Sequence, residues 1–147
     1  MDLRDMTYHE KVVLAKNPNT SLAILRKIAK DTDYLVRGQV ALHSKSTEDI
    51  LRDLARDRYP IVREAVALQS NIPDYLFREL AKDTSWSVRR NVIYNTECAV
   101  PVLIMIFEYE KSFKEPSKHV IKALYENEKL PIFAKRIIET LYGELRK

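Results

Sequence analysis

The sequence predicts an all-α fold, a right-handed α-solenoid (an alpha-alpha superhelix) of 26-residue helix pairs with a helical C-terminal cap. Three observations predict it. First, LRDLARDRYPIVREAV from Leu51 to Val66 has an earlier copy, LRKIAKDTDYLVRGQV from Leu25 to Val40, and a later one, FRELAKDTSWSVRRNV from Phe77 to Val92. Each copy begins 26 residues after the last without insertion or deletion, the mark of a repeat architecture. Second, apolar residues recur at i, i+1, i+4 and i+5, which is one broad face of a 3.6-residue helix. Third, 2 Gly and 6 Pro in 147 residues are too few for a turn-rich β protein.

Taken in order, residues 1–13 read as an N-terminal half-repeat. Asp5, Tyr8, Lys11 and Leu14 fall one period before Asp31, Tyr34, Arg37 and Val40, and Thr7-x-x-Glu10 supplies a capping box. Residues 14–92 hold three full repeats. Their first helices carry Ile24, Leu25, Ile28 and Ala29, then Ile50, Leu51, Leu54 and Ala55, then Leu76, Phe77, Leu80 and Ala81. Thr20, then Ser46 with Glu48 and Asp49, then Pro73 mark the expected helix starts. A shorter second helix follows in each copy, with Val36, Val40 and Ala41, Val62, Val66 and Ala67, and Val88, Val92 and Ile93 facing the same core. Alanine at 29, 55 and 81 lets two helices approach closely.

Residues 93–147 read as a degenerate repeat and cap. Pro101 to Phe113 completes a fourth first helix, but the Asp and Arg columns become Tyr109 and Glu115. Two more helices are expected, Ser117 to Asn127 and Pro131 to Arg146. Where earlier copies expose Arg26, Arg52 and Arg78, or Lys27, Asp53 and Glu79, this one has Ile104 and Met105. Those two are expected to be covered by the last helices or by a partner. One domain, 1–147, is the expected organisation.

The LAxDxxxxVRxxVA pattern resembles the leucine-rich repeat variant family and, more distantly, HEAT repeats. Asn17-Pro18-Asn19-Thr20 is similar to the variant family's NPxTP turn. The likeness covers about residues 1–108, with a period slightly longer than is usual there. The N-terminal cysteine cluster that holds an iron–sulfur centre in a known member has no counterpart, so no cofactor is implied. In HEAT-like repeats an Asp and an Arg six residues apart bridge between helices and neighbouring repeats. By that resemblance Asp31, Asp57 and Asp83 with Arg37, Arg63 and Arg89 form a structural ladder, held by charge-assisted bonds, rather than a phosphate-binding one.

A second ladder is cationic: Arg26, Arg52 and Arg78 with Lys30, Arg56 and Lys82, after Arg4 in the half-repeat. Positions i and i+4 share a helix face, so stacking would make a strip able to neutralise phosphates. Against this stand Glu48 four before Arg52, Asp74 four before Arg78, Lys27 four before Asp31, and the interleaved Asp53 and Glu79. A solvated face is the preferred reading. The aromatic column Tyr8, Tyr34, Trp86, with Tyr59 beside Pro60, offers stacking surfaces for bases but more often fills gaps between repeats.

Chemistry of other kinds finds little support. One Cys excludes a disulfide framework, and His9, His43 and His119 stand in no metal-ligand spacing. Cys98 falls near a helix N-terminus with His119 as a candidate neighbour, yet no third orienting group is visible, and a buried structural cysteine is favoured. Two glycines exclude phosphate-cradling loops, and neither a membrane span nor an h-region of a signal peptide is visible. The net charge of +4 permits nucleic acid without requiring it.

The expected function is therefore non-enzymatic and cytoplasmic, with no catalytic or metal site and no evident small-molecule substrate. A protein or peptide is expected along a concave face lined by the second helices, at Gln39, His43, Glu64, Gln69, Arg90, Asn91, Tyr94 and Asn95. A nucleic-acid-binding solenoid using the cationic strip is the alternative, by fold-level analogy with HEAT-like DNA glycosylases. A small enzyme built around Cys98 ranks third.

Overall fold

A computed structural model describes residues 3–144 of the chain. Among them every regular element is helical: a short 3-10 turn, Leu3–Asp5, and ten α-helices. The helices are α1 Tyr8–Lys16, α2 Leu22–Ile28, α3 Tyr34–Ala41, α4 Glu48–Leu54, α5 Pro60–Ala67, α6 Asp74–Leu80, α7 Trp86–Tyr94, α8 Val100–Lys111, α9 Lys118–Glu126 and α10 Ile132–Tyr142. First helices thus start at 22, 48, 74 and 100, and second helices at 8, 34, 60 and 86, so the period of the sequence is the period of the helix boundaries. Met1 and Asp2 of the expected half-repeat, and Leu145 and Arg146 of the expected last helix with Lys147, lie outside the described residues. No described helix is long and apolar enough to cross a membrane.

The helices belong to two compact units, residues 1–72 and 73–147, so the third repeat's 66–92 span, starting in α5, runs across a boundary that the period does not mark. In the first unit α3 packs between α1 and α5, while α2 and α4 each touch the second helices on either side. Leu25, Leu51, Val36, Val40, Val62 and Val66 meet there, all essentially sealed from solvent. In the second unit α7 packs on α9, α6 on α7 and α8, and α10 on α9, around Leu76, Phe107, Ile106 and Leu124.

Helix starts differ from expectation by one residue. Ser21, Thr47 and Pro73 are the N-cap residues, not Thr20 and Ser46, and Pro73 precedes rather than opens its helix. Thr20 and Ser46 serve the preceding helix instead, where their hydroxyls donate to the carbonyls of Leu14 and Val40 near its end. A hydroxyl there satisfies an acceptor that the helix C-terminus leaves open. At the first helix the capping box does form, with the Glu10 carboxylate accepting from the Thr7 N–H at 2.8 Å.

After Lys111 the spacing changes. Helix α8 runs to 12 residues where α2, α4 and α6 have 7, and the link 112–117 into α9 is slightly longer than the earlier ones. Ala29, Ala55 and Ala81 are succeeded by Phe107, which is fully buried. In α10 the succession of Leu25, Leu51, Phe77 and Leu103 ends at Lys135, offset by the longer α8 and the link that follows it. Lys135 lies over the Tyr125 ring and Glu139 accepts from the Tyr125 hydroxyl at 2.7 Å.

Candidate functional site

Three sets of side chains on the first and second helices and their flanks determine which surface is free to act. The first is the acid–base ladder. Arg37 grips Asp57 with two nearly parallel bonds, Nε to Oδ2 at 2.6 Å and Nη2 to Oδ1 at 2.9 Å, while Nη1 donates to the Asp31 and Thr32 carbonyls at 2.8 and 3.1 Å. Arg89 repeats this: Nε reaches Glu110 Oε1 at 2.6 Å, and Nη1 donates to the Asp83 and Thr84 carbonyls. Arg63 Nη1 donates to the Asp57 carbonyl at 2.7 Å, and Lys11 stands in the arginine position with Asp31 at 2.8 Å. Each acid also accepts a backbone N–H from the turn that follows, Asp31 from Asp33, Asp57 from Tyr59 and Asp83 from Ser85. The expected loss of the acid column at Tyr109 is corrected by Glu110, which sits one residue later and accepts from the Ser117 N–H at 2.9 Å.

Burial opposes ionisation of Asp57, but hydrogen bonds from Arg37 and from the Tyr59 N–H outweigh it and hold the carboxyl below its usual range. A carboxylate with a depressed folded pKa contributes stability that is present above its unfolded value, about 3.9, and is lost as pH falls through the folded one. Melting temperature is therefore expected to fall more steeply between pH 5 and pH 3 in the native protein than in Asp57→Asn. Parallel acid limbs would count against the pair.

The second set is a polar column that sequence reasoning assigned to the partner face. His43, Gln69, Asn91 and Asn95 are each at least nine-tenths buried, so they do not line an outward surface. His43 Nε2 donates to the Asn17 carbonyl at 2.9 Å, and Nδ1 accepts from the Lys45 N–H. Gln69 Nε2 donates to the Ala41 and His43 carbonyls at 2.9 and 3.0 Å. Asn127 donates likewise to the Ile93 carbonyl at 3.0 Å. Position 43 is one residue past the α3 C-cap, where the chain has left the helix, so a helical projection places its side chain wrongly. Gln69→Ala is expected to cost about 1–3 kcal/mol in urea unfolding, because the Ala41 and His43 carbonyls lose a buried donor, though that of His43 keeps the Ser46 N–H. Gln39→Ala, from the same expected set but half-exposed, should stay within about 0.5 kcal/mol.

What remains on the outer face of the second helices is apolar or aromatic. Gln39 and Glu64 are half-buried, and beside them Leu35, Leu42, Ile61 and Leu68 are each 41–50% exposed. They form i, i+7 pairs on α3 and α5, adjacent helices of the first unit. Sequence reasoning missed these four. The signal was there, because Leu35 and Ile61 add apolar residues outside the Val36, Val40, Val62, Val66 stripe. On α7 of the second unit Trp86 and Tyr94 are exposed and Arg90 is half-buried between their rings. Of the aromatic column, Tyr34 stacks on Tyr59 with centroids 4.5 Å apart, and Arg58 lies over Tyr59.

The third set is the cationic strip on the first helices. Arg26 bonds Asp49 at 3.1 Å, Arg78 bonds Asp74 at 2.6 Å, and Arg52 has Asp53 at 3.8 Å. The hydroxyl of Thr47 and the Arg26 guanidinium hold Asp49 at a pKa of about 2, so it stays charged throughout the physiological range. Lys30, Arg56 and Lys82 are exposed but lie in the turns just past the C-caps Ala29, Ala55 and Ala81. They therefore do not share a helix face with Arg26, Arg52 and Arg78 as the i, i+4 spacing predicts. Asp31, expected to pair with Lys27, is taken by Lys11 instead. Ile104 and Met105 are half-buried and line an open hollow of about 360 Å³ with Lys82 and Tyr109.

Cys98 is buried, and that burial pushes its thiol up to about 11, against the opposing Lys129 charge. Such a thiol is protonated at neutral pH and is no nucleophile there. His119 stacks on Trp86 at 4.4 Å. Among the described residues no three His, Cys, Asp or Glu side chains gather as metal ligands. No protein-family model, characterised protein or solved structure gives a significant match to this chain.

Proposed function

We propose that this chain is a right-handed α-solenoid, akin to leucine-rich repeat variant and HEAT-like proteins. On this reading it is a non-enzymatic cytoplasmic scaffold that binds a protein or peptide along its second helices. One observation carries the reading: Leu35, Leu42, Ile61 and Leu68 stand in solvent on the face whose polar neighbours, His43 and Gln69, are spent on backbone carbonyls. Apolar side chains clustered on one exposed face mark a docking surface, whereas singly scattered ones do not. The nucleic-acid reading has less support, because Arg26, Arg52 and Arg78 each have a carboxylate within 4 Å. Isolated ion pairs of this kind leave little net field along the helices.

The test is capture from nuclease-treated lysate on immobilised protein, comparing Leu42→Glu/Leu68→Glu with Arg52→Glu/Arg56→Glu. All four side chains are exposed, so both variants should melt as the native protein does. The leucine double variant is expected to lose the captured partner and the arginine one to keep it. Capture that vanishes with nuclease and with the arginine substitutions would reverse the assignment.

A further inference from the structure

We propose that Arg90, framed by Trp86 and Tyr94, is the recognition point for a carboxylate side chain of an acidic peptide segment docked on α7 and α9. The proposal rests on the second-helix docking reading and adds a ligand chemistry to it. Trp86, Arg90 and Tyr94 are spaced i, i+4, i+8 on α7, so they lie along one helix face. The Arg90 Cζ is 5.1 Å from the Trp86 ring centroid and 5.9 Å from that of Tyr94, both within cation–π range. From α9, His119 stacks on Trp86 at 4.4 Å and 24° and so fixes the indole.

Four other arginines have their charge answered: Arg37 and Arg89 by buried carboxylates, Arg26 and Arg78 by exposed ones. Arg90 has neither a hydrogen bond nor an ion pair among the described residues, and its Nε is buried without any partner. Aromatic faces hold a guanidinium in place but satisfy none of its in-plane N–H groups. The result is a planar guanidinium, already ordered and partly desolvated, whose two Nη groups, with the Nε sealed off, are left for an acceptor of matching shape. A carboxylate is that acceptor, and the side-chain entropy of the arginine has been lost before it arrives. Trp86 and Tyr94, 39% and 55% exposed, offer apolar seats for the residues flanking the acid.

A carboxylate fits better than a nucleic-acid backbone. From residue 73 onward the chain has 13 Lys and Arg against 11 Asp and Glu, and on α9 Lys122 already pairs with Glu126. A run of phosphates needs a run of uncommitted cations, and a single fork between two rings reads a single acid.

Trp86 is the only tryptophan in the chain, so its emission reports this site alone. The probes are an acetylated, amidated peptide of alternating glutamate and leucine, its glutamine–leucine counterpart, and a thymidine oligonucleotide. The glutamate peptide should change Trp86 emission saturably. The glutamine peptide should bind about 10–100-fold more weakly, the size of one charge-assisted hydrogen-bond pair. Arg90→Gln should lose the same factor by calorimetric titration while melting normally, and Arg90→Lys, charged but unforked, should fall between. Equal affinity for both peptides, unaffected by Arg90→Gln but lost in Tyr94→Ala, overturns carboxylate recognition and leaves the docking face standing. No saturable response to either peptide overturns both. Tighter binding of the oligonucleotide than of the glutamate peptide, abolished by Arg90→Gln, overturns the proposal in favour of nucleic acid.

Discussion

Arg89→Met is expected to destabilise the protein by about 3–5 kcal/mol, the usual result of removing one partner of a buried ion pair. Both side chains are almost fully buried, 4% exposed for Arg89 and 0% for Glu110. The arginine satisfies several acceptors at once, because Glu110 and the carbonyls of Asp83 and Thr84 all bond to it, and the Tyr109 and Phe113 rings lie close by. Without it Glu110 keeps only the Ser117 N–H, and a carboxylate so placed has little access to water. Arg89→Met/Glu110→Leu should recover most of the loss, since a buried pair replaced together by apolar groups is often neutral. Urea unfolding of the two single variants and the double measures it. A single substitution costing under about 1 kcal/mol would mean that the pair holds nothing together.

Phe107→Ala is expected to cost about 3–5 kcal/mol as well, for a different reason. The ring is fully buried and fills the space that alanine fills at 29, 55 and 81. Because α8 runs on past the point where α2, α4 and α6 end in C-caps at Ala29, Ala55 and Ala81, residue 107 stays inside its helix and takes an aromatic side chain rather than a methyl group. Truncation leaves a cavity that two packed helices close only in part. The reverse change, Ala81→Phe, should cost about 1–3 kcal/mol by overpacking. If Phe107→Ala unfolds at the native urea midpoint, the ring is not the wedge that this packing makes it.

Much of this fold is legible in the residues themselves. Val36, Val40, Val62, Val66, Val88 and Val92 recur at one spacing and are all buried, because a helix with one apolar stripe has one way to hide it. Terminal detail is less legible. Thr20 and Ser46 look like N-caps beside Ser21 and Thr47, and only the path of the chain decides which hydroxyl faces which end of which helix. The site was read least well. His43, Gln69 and Asn95 are polar and periodic, as surface residues would be, yet polarity does not say whether a donor meets water or a carbonyl. Glu110 escaped because the acid moved by one residue where α8 runs past the usual helix end, and a search at fixed period sees only Tyr109 there.

At 17.2 kDa the chain suits two-dimensional NMR, and a shift map recorded with the captured partner tests the second-helix docking face directly. Docking there predicts perturbed methyl signals at Leu35, Leu42, Ile61 and Leu68 of the first unit, with Arg26, Arg52 and Arg56 undisturbed. Perturbations confined to Arg26, Lys30, Arg52 and Arg56, with the four leucine and isoleucine signals unmoved, would contradict it.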